Sequence, residues 1–370
     1  MPVEEREFVI IGGGVVGAAL GWNLARVGKD VLVLDGEDLD ARASRANLGL
    51  VWVSGKGAGA PAYARWSLGA AQLWPQLAEM LLQDTGIDVQ LRQGGGFSFA
   101  LSEQEFGQLR SEAETIARET NGELGDFEIL DGDEARSRVP FLGSEVTGAI
   151  FCPHDGHVNS LRLLAAFHTG LLNRGAEYRM NRVVSDIEPL QQGFRIRGAW
   201  GSLIASKLVL AAGLDNARLA PMVGLSAPLV LSKGQVIVTE KCLPFLAHAT
   251  AMLRQNEEGS ILIGESEETN TDSIAVNHEI GAALASRAIR TFPAIADLNI
   301  VRSWTGFRVK TPDGLPIYEQ SETCPEAFMA LCHSGVTLAA QHALCVAPQI
   351  AARALGQDLD AFSASRFHAA

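Results

Sequence analysis

The chain has 370 residues, 47% hydrophobic and 20% charged, enough for about two domains with cores of their own. With 30 Lys plus Arg against 43 Asp plus Glu, its net charge is −13 and no long basic run occurs, which excludes a nucleic-acid binder and disfavours an anionic membrane surface. No stretch approaches the roughly 20 apolar residues that span a bilayer, so direct membrane insertion is not expected.

The acidic start, Met1-Pro-Val-Glu-Glu-Arg-Glu7, does not read as a secretory signal, and a cytoplasmic protein is expected. Phe8 to Ile11 is a continuous apolar run ending in Gly12-Gly13-Gly14. Val15 to Val27 has helical periodicity and stops at Gly28; Val31 to Leu34 is a second apolar run closed by Asp35. Strand, glycine turn, helix and strand within about 30 residues make a βαβ unit, and unbroken apolar strands suit a parallel sheet covered on both faces. Pro61 to Leu82 reads as a helix with Trp66 and Trp74 as core residues, Gly94 to Ala100 as a strand, and Ser102 to Asn121 as an amphipathic surface helix. Leu161 to Arg174 is a further helix and Lys207 to Ala211 a buried strand ending at Ala212-Gly213. Gln235 to Thr239 and Ser260 to Gly264 read as antiparallel strands, and Val336 to Leu355 as a closing helix kinked at Pro348. The fold class is α/β, α+β overall, with the nucleotide unit assembled from separated segments of the chain.

Gly12-x-Gly14-x-x-Gly17 follows a strand and opens a helix. The first glycine permits a tight turn, the second lets backbone approach a pyrophosphate, and the third lets helix and strand pack closely. The helix N-terminus supplies N–H groups and partial positive charge for phosphates. Asp35, 18 residues after Gly17, is placed to hold ribose hydroxyls. Together these imply a Rossmann-like dinucleotide site, without deciding between FAD and NAD.

Five motifs in order resemble the superfamily of glycine oxidase, sarcosine oxidase and D-amino-acid oxidase. They are Val9-Ile-Ile-Gly-Gly-Gly-Val-Val-Gly17, Ala43-Ser-Arg-Ala-Asn-Leu-Gly-Leu50, Lys207-Leu-Val-Leu-Ala-Ala-Gly213, Gly306-Phe-Arg-Val-Lys-Thr-Pro-Asp-Gly314 with Pro316-Ile317, and Ser334-Gly-Val-Thr-Leu-Ala339. The resemblance implies FAD, contacted by Gly12, Gly14, Val16, Gly17, Asp35, Ser44, Arg45, Asn47, Gly49, Leu50, Val183, Ala212, Gly213, Gly335, Val336 and Thr337. It implies a Rossmann-like FAD domain of residues 1–90, 150–215 and 315–370, and a substrate domain of 91–149 and 216–314 with a mainly antiparallel sheet. The stretch Val301 to Arg308 lacks the cysteine that binds flavin covalently in monomeric sarcosine oxidases, so FAD is expected to be non-covalent. Arg308 matches the arginine that grips a substrate carboxylate, whereas a structural ion pair is its bland alternative. No acid–base residue is required if the amine arrives neutral, since its lone pair drives hydride departure.

Lys56 and Tyr63 are placed along the substrate access loop, and His333 beside the flavin edge, where simple packing is an equal reading. His154-Asp155-Gly156-His157 has the look of a metal box, yet Asp-Gly reads first as a turn, and no metal is expected. Glu265, Glu267, Glu268 and Asp272 read as a solvated acidic loop, with a cationic substrate tail as the alternative. The five cysteines, Cys152, Cys242, Cys324, Cys332 and Cys345, contain no CxxC pair, so no cluster is expected in this chain.

Two family features are missing: the Gly-His before the last helix, here Ala330-Leu-Cys-His-Ser-Gly335, and the oxygen-activating lysine, here replaced within Ile261-Leu-Ile-Gly264. Residues 48–66 resemble the B subunits of opine oxidases and the related hydrogen cyanide synthase subunit. That implies the catalytic subunit of a heteromeric, membrane-linked or soluble dehydrogenase, with iron–sulfur cysteines in a partner chain and an FMN that can lie between subunits. A stand-alone glycine, sarcosine or D-amino-acid oxidase releasing peroxide is the alternative. An FAD-binding scaffold without chemistry is a third, opposed by the retention of Arg308.

Overall fold

In the computed structural model, residues 4–36, 42–269 and 271–367 are described. The apolar run at the start forms β1 (Glu4–Ile11), the glycine turn leads into α1 (Val15–Arg26), and β2 (Val31–Leu34) lies parallel to β1, with Val9 opposite Leu32 and Ile11 opposite Leu34. An eight-stranded sheet is built on this pair. Its main path runs Ile317–Gln320, Ala327–Leu331, Gly201–Leu210, β1, β2, Glu177–Arg179, and all neighbours are parallel except the first two. Phe194–Gly198 and Asp186–Pro189 add antiparallel onto the first half of Gly201–Leu210.

The unbroken apolar strands are explained by two different covers. Alternate side chains of a strand point to opposite faces. Phe8, Ile10, Val31, Val33 and Val209 enter one core with α1, the helix Pro61–Thr85 and the helix Ser160–Asn173, where Trp22 meets Phe167 at 5.8 Å between ring centroids. Val9, Ile11, Leu32, Leu34, Leu208 and Leu210 enter a second core closed by Ile187, Leu219, Val223 and Ile317.

Two antiparallel sheets share a third core. One holds Leu253–Gln255, Ser260–Ile263, Ser232–Lys241, Glu268–Thr269 and Ile300–Phe307; the other holds Ala249–Thr250, Gly96–Ala100, Gly148–Cys152 and Glu128–Asp131. Ala249–Thr250 is the exception, pairing parallel with Gly96–Ala100. Phe97, Phe151, Ile237, Ile261, Leu284 and Phe292 fill the space between these sheets and the helix His278–Thr291. The fold is therefore mixed α/β: a largely parallel sheet covered on both faces, beside smaller, mainly antiparallel ones.

The closing helix departs from expectation. Residues 335–338 form a turn, helix begins at Ala339, and His342–Val346 is a π-turn immediately before Ala347–Ala351. Pro348 is the physical reason for the π-turn: it has no N–H to donate and its ring crowds the carbonyl one turn back, so the preceding turn widens.

Candidate functional site

At the end of β1 the chain turns so tightly that side chains are excluded. Gly12 has φ +107°, and a Cβ there would lie 2.3 Å from the Ala211 carbonyl oxygen; a Cβ on Gly17 would lie 1.9 Å from the Gly12 carbonyl. α1 makes its first i→i−4 bond from Ala18 N–H to Gly14 O, so the N–H groups before it face outward with the positive end of the helix dipole. Ser44 joins them, its Oγ accepting the Val15 N–H at 2.9 Å. This cradle fits a dinucleotide pyrophosphate.

Asp35 sits beside it, buried, in a set the sequence did not reveal. Its carboxylate accepts both arms of the Arg42 guanidinium, at 2.8 and 2.7 Å, and the Tyr178 hydroxyl at 2.6 Å. Burial pushes the carboxyl up, but Arg42 and Tyr178 outweigh it and hold it below its usual range. Tyr178 stacks on His168 at 4.3 Å, and His168 Nε2 reaches the Gly13 carbonyl at 2.8 Å. Val183 lies next to Gly36, on this same side.

From Ser44 the chain runs on through Asn47, whose side chain accepts from Gly49 N–H and donates to Ala43 O, closing the loop on itself. Gly49, at φ +75°, leaves only 2.3 Å between a Cβ and the Val158 carbonyl. Leu50–Val51 then pairs with Gly156–His157. Asn47 thus shapes the loop with its own side chain. Arg45 is partly buried in the same stretch.

Thr337 joins this loop to the last turn. Its Oγ1 accepts the Trp52 N–H at 3.1 Å and the Lys56 ammonium at 2.9 Å, and donates to Leu50 O at 3.3 Å. Gly335 abuts Val16 of α1, so the turn 335–338 lies against the pyrophosphate cradle. Ala212 and Gly213, at the end of Gly201–Leu210, stand between the cradle and Val309.

The candidate catalytic residues converge. The Arg308 guanidinium donates to Ser232 Oγ at 3.4 Å and Ser266 O at 2.6 Å; both partners are neutral, and among the described residues it makes no ion pair. Burial lowers its pKa while Glu267 and Glu265 oppose the shift. His333 is exposed. Desolvation, with Lys56, Arg308 and Lys310 nearby, pulls it down to about 4. Tyr63 reaches Ser334 Oγ at 2.9 Å, and burial pushes its phenol up to about 12. Lys56 and Tyr63 thus both land on the segment leading into the last helix, at Thr337 and Ser334. A separate cavity of about 240 Å³ is lined by Glu105, Glu112, Thr250, Met252, Glu265 and Arg287; of these, Glu265 is near enough to Arg308 to feel its charge, and none of the candidate catalytic residues lines it.

Asp155, read from sequence as half of a turn, is wholly buried and organises the site. It accepts the Val53 N–H at 2.5 Å, the Ser54 N–H at 3.2 Å and the Ser54 hydroxyl. Burial lifts its carboxyl to about 6 against these bonds and Lys56. The neighbouring His154 pairs with Asp126, and among the described residues no cluster of metal-binding groups occurs. In the acidic run, Glu267 is tied to Lys310 at 2.7 Å and Glu268 to Lys233 at 3.1 Å.

The family model for FAD dependent oxidoreductases matches residues 7–348. Over 365 residues the chain is 56% identical to the B subunit of opine oxidase from Rhizobium meliloti, spanning 99% of this chain and 98% of that protein. It is 57% identical, with the same coverage, to the opine oxidase B subunit of Agrobacterium tumefaciens (strain Ach5). The crystal structure of glycine oxidase from Geobacillus kaustophilus superposes with a TM-score of 0.90 at 28% identity, covering 98% of this chain and 99% of that one.

The burial of Asp155 has a measurable pH signature. Its folded value, about 6, stands above the ordinary 3.8, so its contribution to stability is fully present below about pH 3.8 and lost as pH rises through about 6. Asp155→Asn keeps the acceptor for Val53 and Ser54 and removes the titration. In denaturant unfolding, the wild type should lose stability relative to the variant between about pH 4 and pH 6 and run parallel to it at higher pH. Parallel curves throughout would show that Asp155 does not titrate there.

Proposed function

This chain belongs to the DAO family of FAD dependent oxidoreductases, and on that premise we propose that it oxidises a carboxylate-bearing secondary amine, an opine such as octopine or nopaline, as the catalytic subunit of a heteromeric dehydrogenase. Residues 1–90, 150–215 and 315–370 form the cofactor domain in this reading, and 91–149 with 216–314 the substrate domain. The cofactor is held without a covalent bond by the glycine cradle, Ser44, the Asp35 set and the turn 335–337.

Bound FAD supplies the acceptor for a hydride leaving the carbon beside the amine. The residues of the chain do the rest. Arg308 grips the substrate carboxylate with its planar fork and so fixes which face of that carbon is presented. His333, held neutral at pH 7, adds no positive charge beside the amine and can accept a hydrogen bond from its N–H. The C–H bond breaks with its electron pair, the nitrogen lone pair forms the C=N bond, and the nitrogen proton is released. Water then adds across the imine to give an amino acid and a 2-keto acid.

The geometric observation that carries the reading is Arg308, a charged fork whose protein partners are neutral oxygens. Full-length identity of 56–57% to proteins named as B subunits of opine oxidase supports the substrate class and the heteromer. An iron–sulfur partner fits a chain that has no cluster-spaced cysteines of its own. Neither the described residues nor the relatives support the FMN that the resemblance allows.

Arg308→Lys replaces a fork with a point charge. It should lower kcat/KM on a carboxylate-bearing secondary amine about a hundredfold, ~3 kcal/mol of transition-state binding, with FAD content unchanged. Near-normal kcat/KM would make Arg308 structural. Expressed alone, the protein should bind FAD yet reduce oxygen slowly, and co-expression with neighbouring genes should restore turnover with an artificial electron acceptor. A soluble monomer that alone oxidises glycine or a D-amino acid with rapid peroxide release would instead establish the stand-alone oxidase.

A further inference from the structure

Lys56 is placed by a loop that has little freedom. Gly55, Gly57 and Gly59 all have positive φ, and a Cβ on Gly57 would lie 2.5 Å from the Ala64 backbone nitrogen, so the loop lies flat on the first turn of the helix Pro61–Thr85. Asp155 fixes its other end at Val53 and Ser54. The lysine side chain is thereby turned inward to Thr337 Oγ1.

That position is costly for a cation. Among the described residues the ammonium has one hydrogen-bond partner, a hydroxyl, and no carboxylate within ion-pair distance. Asp155 is near enough to be felt, but its own acceptors are taken by Val53 and Ser54. A partly buried cation without a protein counter-ion is destabilising unless something anionic faces it.

The cofactor track runs through this place. The ends of successive strands carry Asp35 after β2, the glycine cradle after β1, and the turn 334–338 after Ala327–Leu331, with Gly335 against Val16. A dinucleotide held at Asp35 and at Gly12–Gly17 would extend past Gly335 toward Thr337, Leu50 and Lys56. A flavin that takes a hydride gains a negative charge.

We propose that Lys56, seated on the Thr337 hydroxyl, is the fixed positive charge that stabilises the reduced flavin and so sets its reduction potential. Thr337 holds the ammonium in place by accepting its hydrogen bond, and Asp155 positions the loop that carries it. The assignment rests on the family's flavin and not on any choice of amine substrate.

The groups facing Lys56 are Asp155, Cys332 and His333, with Glu112 beside Gly55 on the outer side of the loop. Burial pulls Lys56 down to about 8, against Asp155 and Cys332. Asp155 is lifted to about 6, His333 lowered to about 4 and Cys332 raised to about 12, each mainly by burial. Of these, Lys56 alone changes charge near pH 8. Above that point, reduction must bring a proton back to the lysine, so the potential should fall more steeply with pH.

The test uses the FAD-loaded protein without amine substrate. Sulfite, which adds reversibly to flavin and leaves a negative charge on it, is titrated by loss of the visible absorbance, and midpoint potentials are measured on either side of pH 8. Lys56→Met should weaken sulfite binding about tenfold or more and lower the potential by ~30 mV or more, the two-electron equivalent of tenfold. Thr337→Val should show a smaller loss, and Lys56→Arg should restore most of the effect. The wild-type potential should steepen above about pH 8, and Lys56→Met should not. Sulfite affinity within about twofold of wild type in Lys56→Met would overturn the proposal. If that variant retains no FAD, a wild-type profile that passes through pH 8 without a break overturns it equally. Because no amine is present, failure here leaves the substrate reading untouched, and failure of the opine assay leaves this one untouched.

Discussion

A Cβ on Gly17 would stand 1.9 Å from the Gly12 carbonyl, and everything that makes this chain a flavoprotein depends on that contact being open. Because two glycines meet there, α1 starts directly over the end of β1, and its unpaired N–H groups lie where phosphates must pass. The parallel register of β1 with β2 and with Gly201–Leu210 then sets Asp35 on one side of the turn and Ala212-Gly213 on the other. A side chain at Gly17 would separate helix from sheet, and the cradle would be lost before any ligand chemistry arose.

The electrostatics of the site oppose those of the whole molecule. The chain carries a net charge of −13, yet Lys56, Arg308 and Lys310 gather around His333. Lys310 is matched by Glu267, whereas Arg308 is met by neutral oxygens and Lys56 by a hydroxyl. Two cations left without an ion pair are expensive to keep, and the proposed roles give each an anion to meet: a substrate carboxylate at Arg308 and a reduced flavin at Lys56.

How much of this could be read from residues alone follows from what each signal encodes. The βαβ unit was legible because apolar runs, the spacing of Gly12, Gly14 and Gly17, and an acid at Asp35 are all local. Arg308 was legible only as part of a motif, since nothing in its neighbourhood in sequence announces a carboxylate. Asp155 was not legible: Asp-Gly is a turn signal, and its partners Val53 and Ser54 lie about a hundred residues away. Tyr178 escaped for the same reason, being brought to Asp35 by the pairing of its strand with β2, and His168 reaches Gly13 and Tyr178 from a helix more than a hundred residues on. Arg42 is only seven residues from Asp35, but nothing in that spacing announces an ion pair. The last helix was misplaced at its start because apolar periodicity runs unbroken from Val336, whereas the backbone first makes a turn over 335–338 and enters helix only at Ala339.

Asp155 and Lys56 are best understood together. Burial drives the acid up to about 6 and the base down to about 8, so each is moved toward neutrality by the same dry surroundings. Had they formed a direct ion pair, each would have quenched the other and the lysine would have had no charge to offer. Instead the carboxylate is spent on backbone N–H groups, which makes the loop rigid, and the ammonium is handed to Thr337. The separation of these two jobs leaves the ammonium without a paired carboxylate, and it requires the turn 335–338 to reach the loop before any regular helix begins. The short unwound stretch ahead of Ala339 is therefore the segment that lets a residue from the end of the chain complete a site begun at its start.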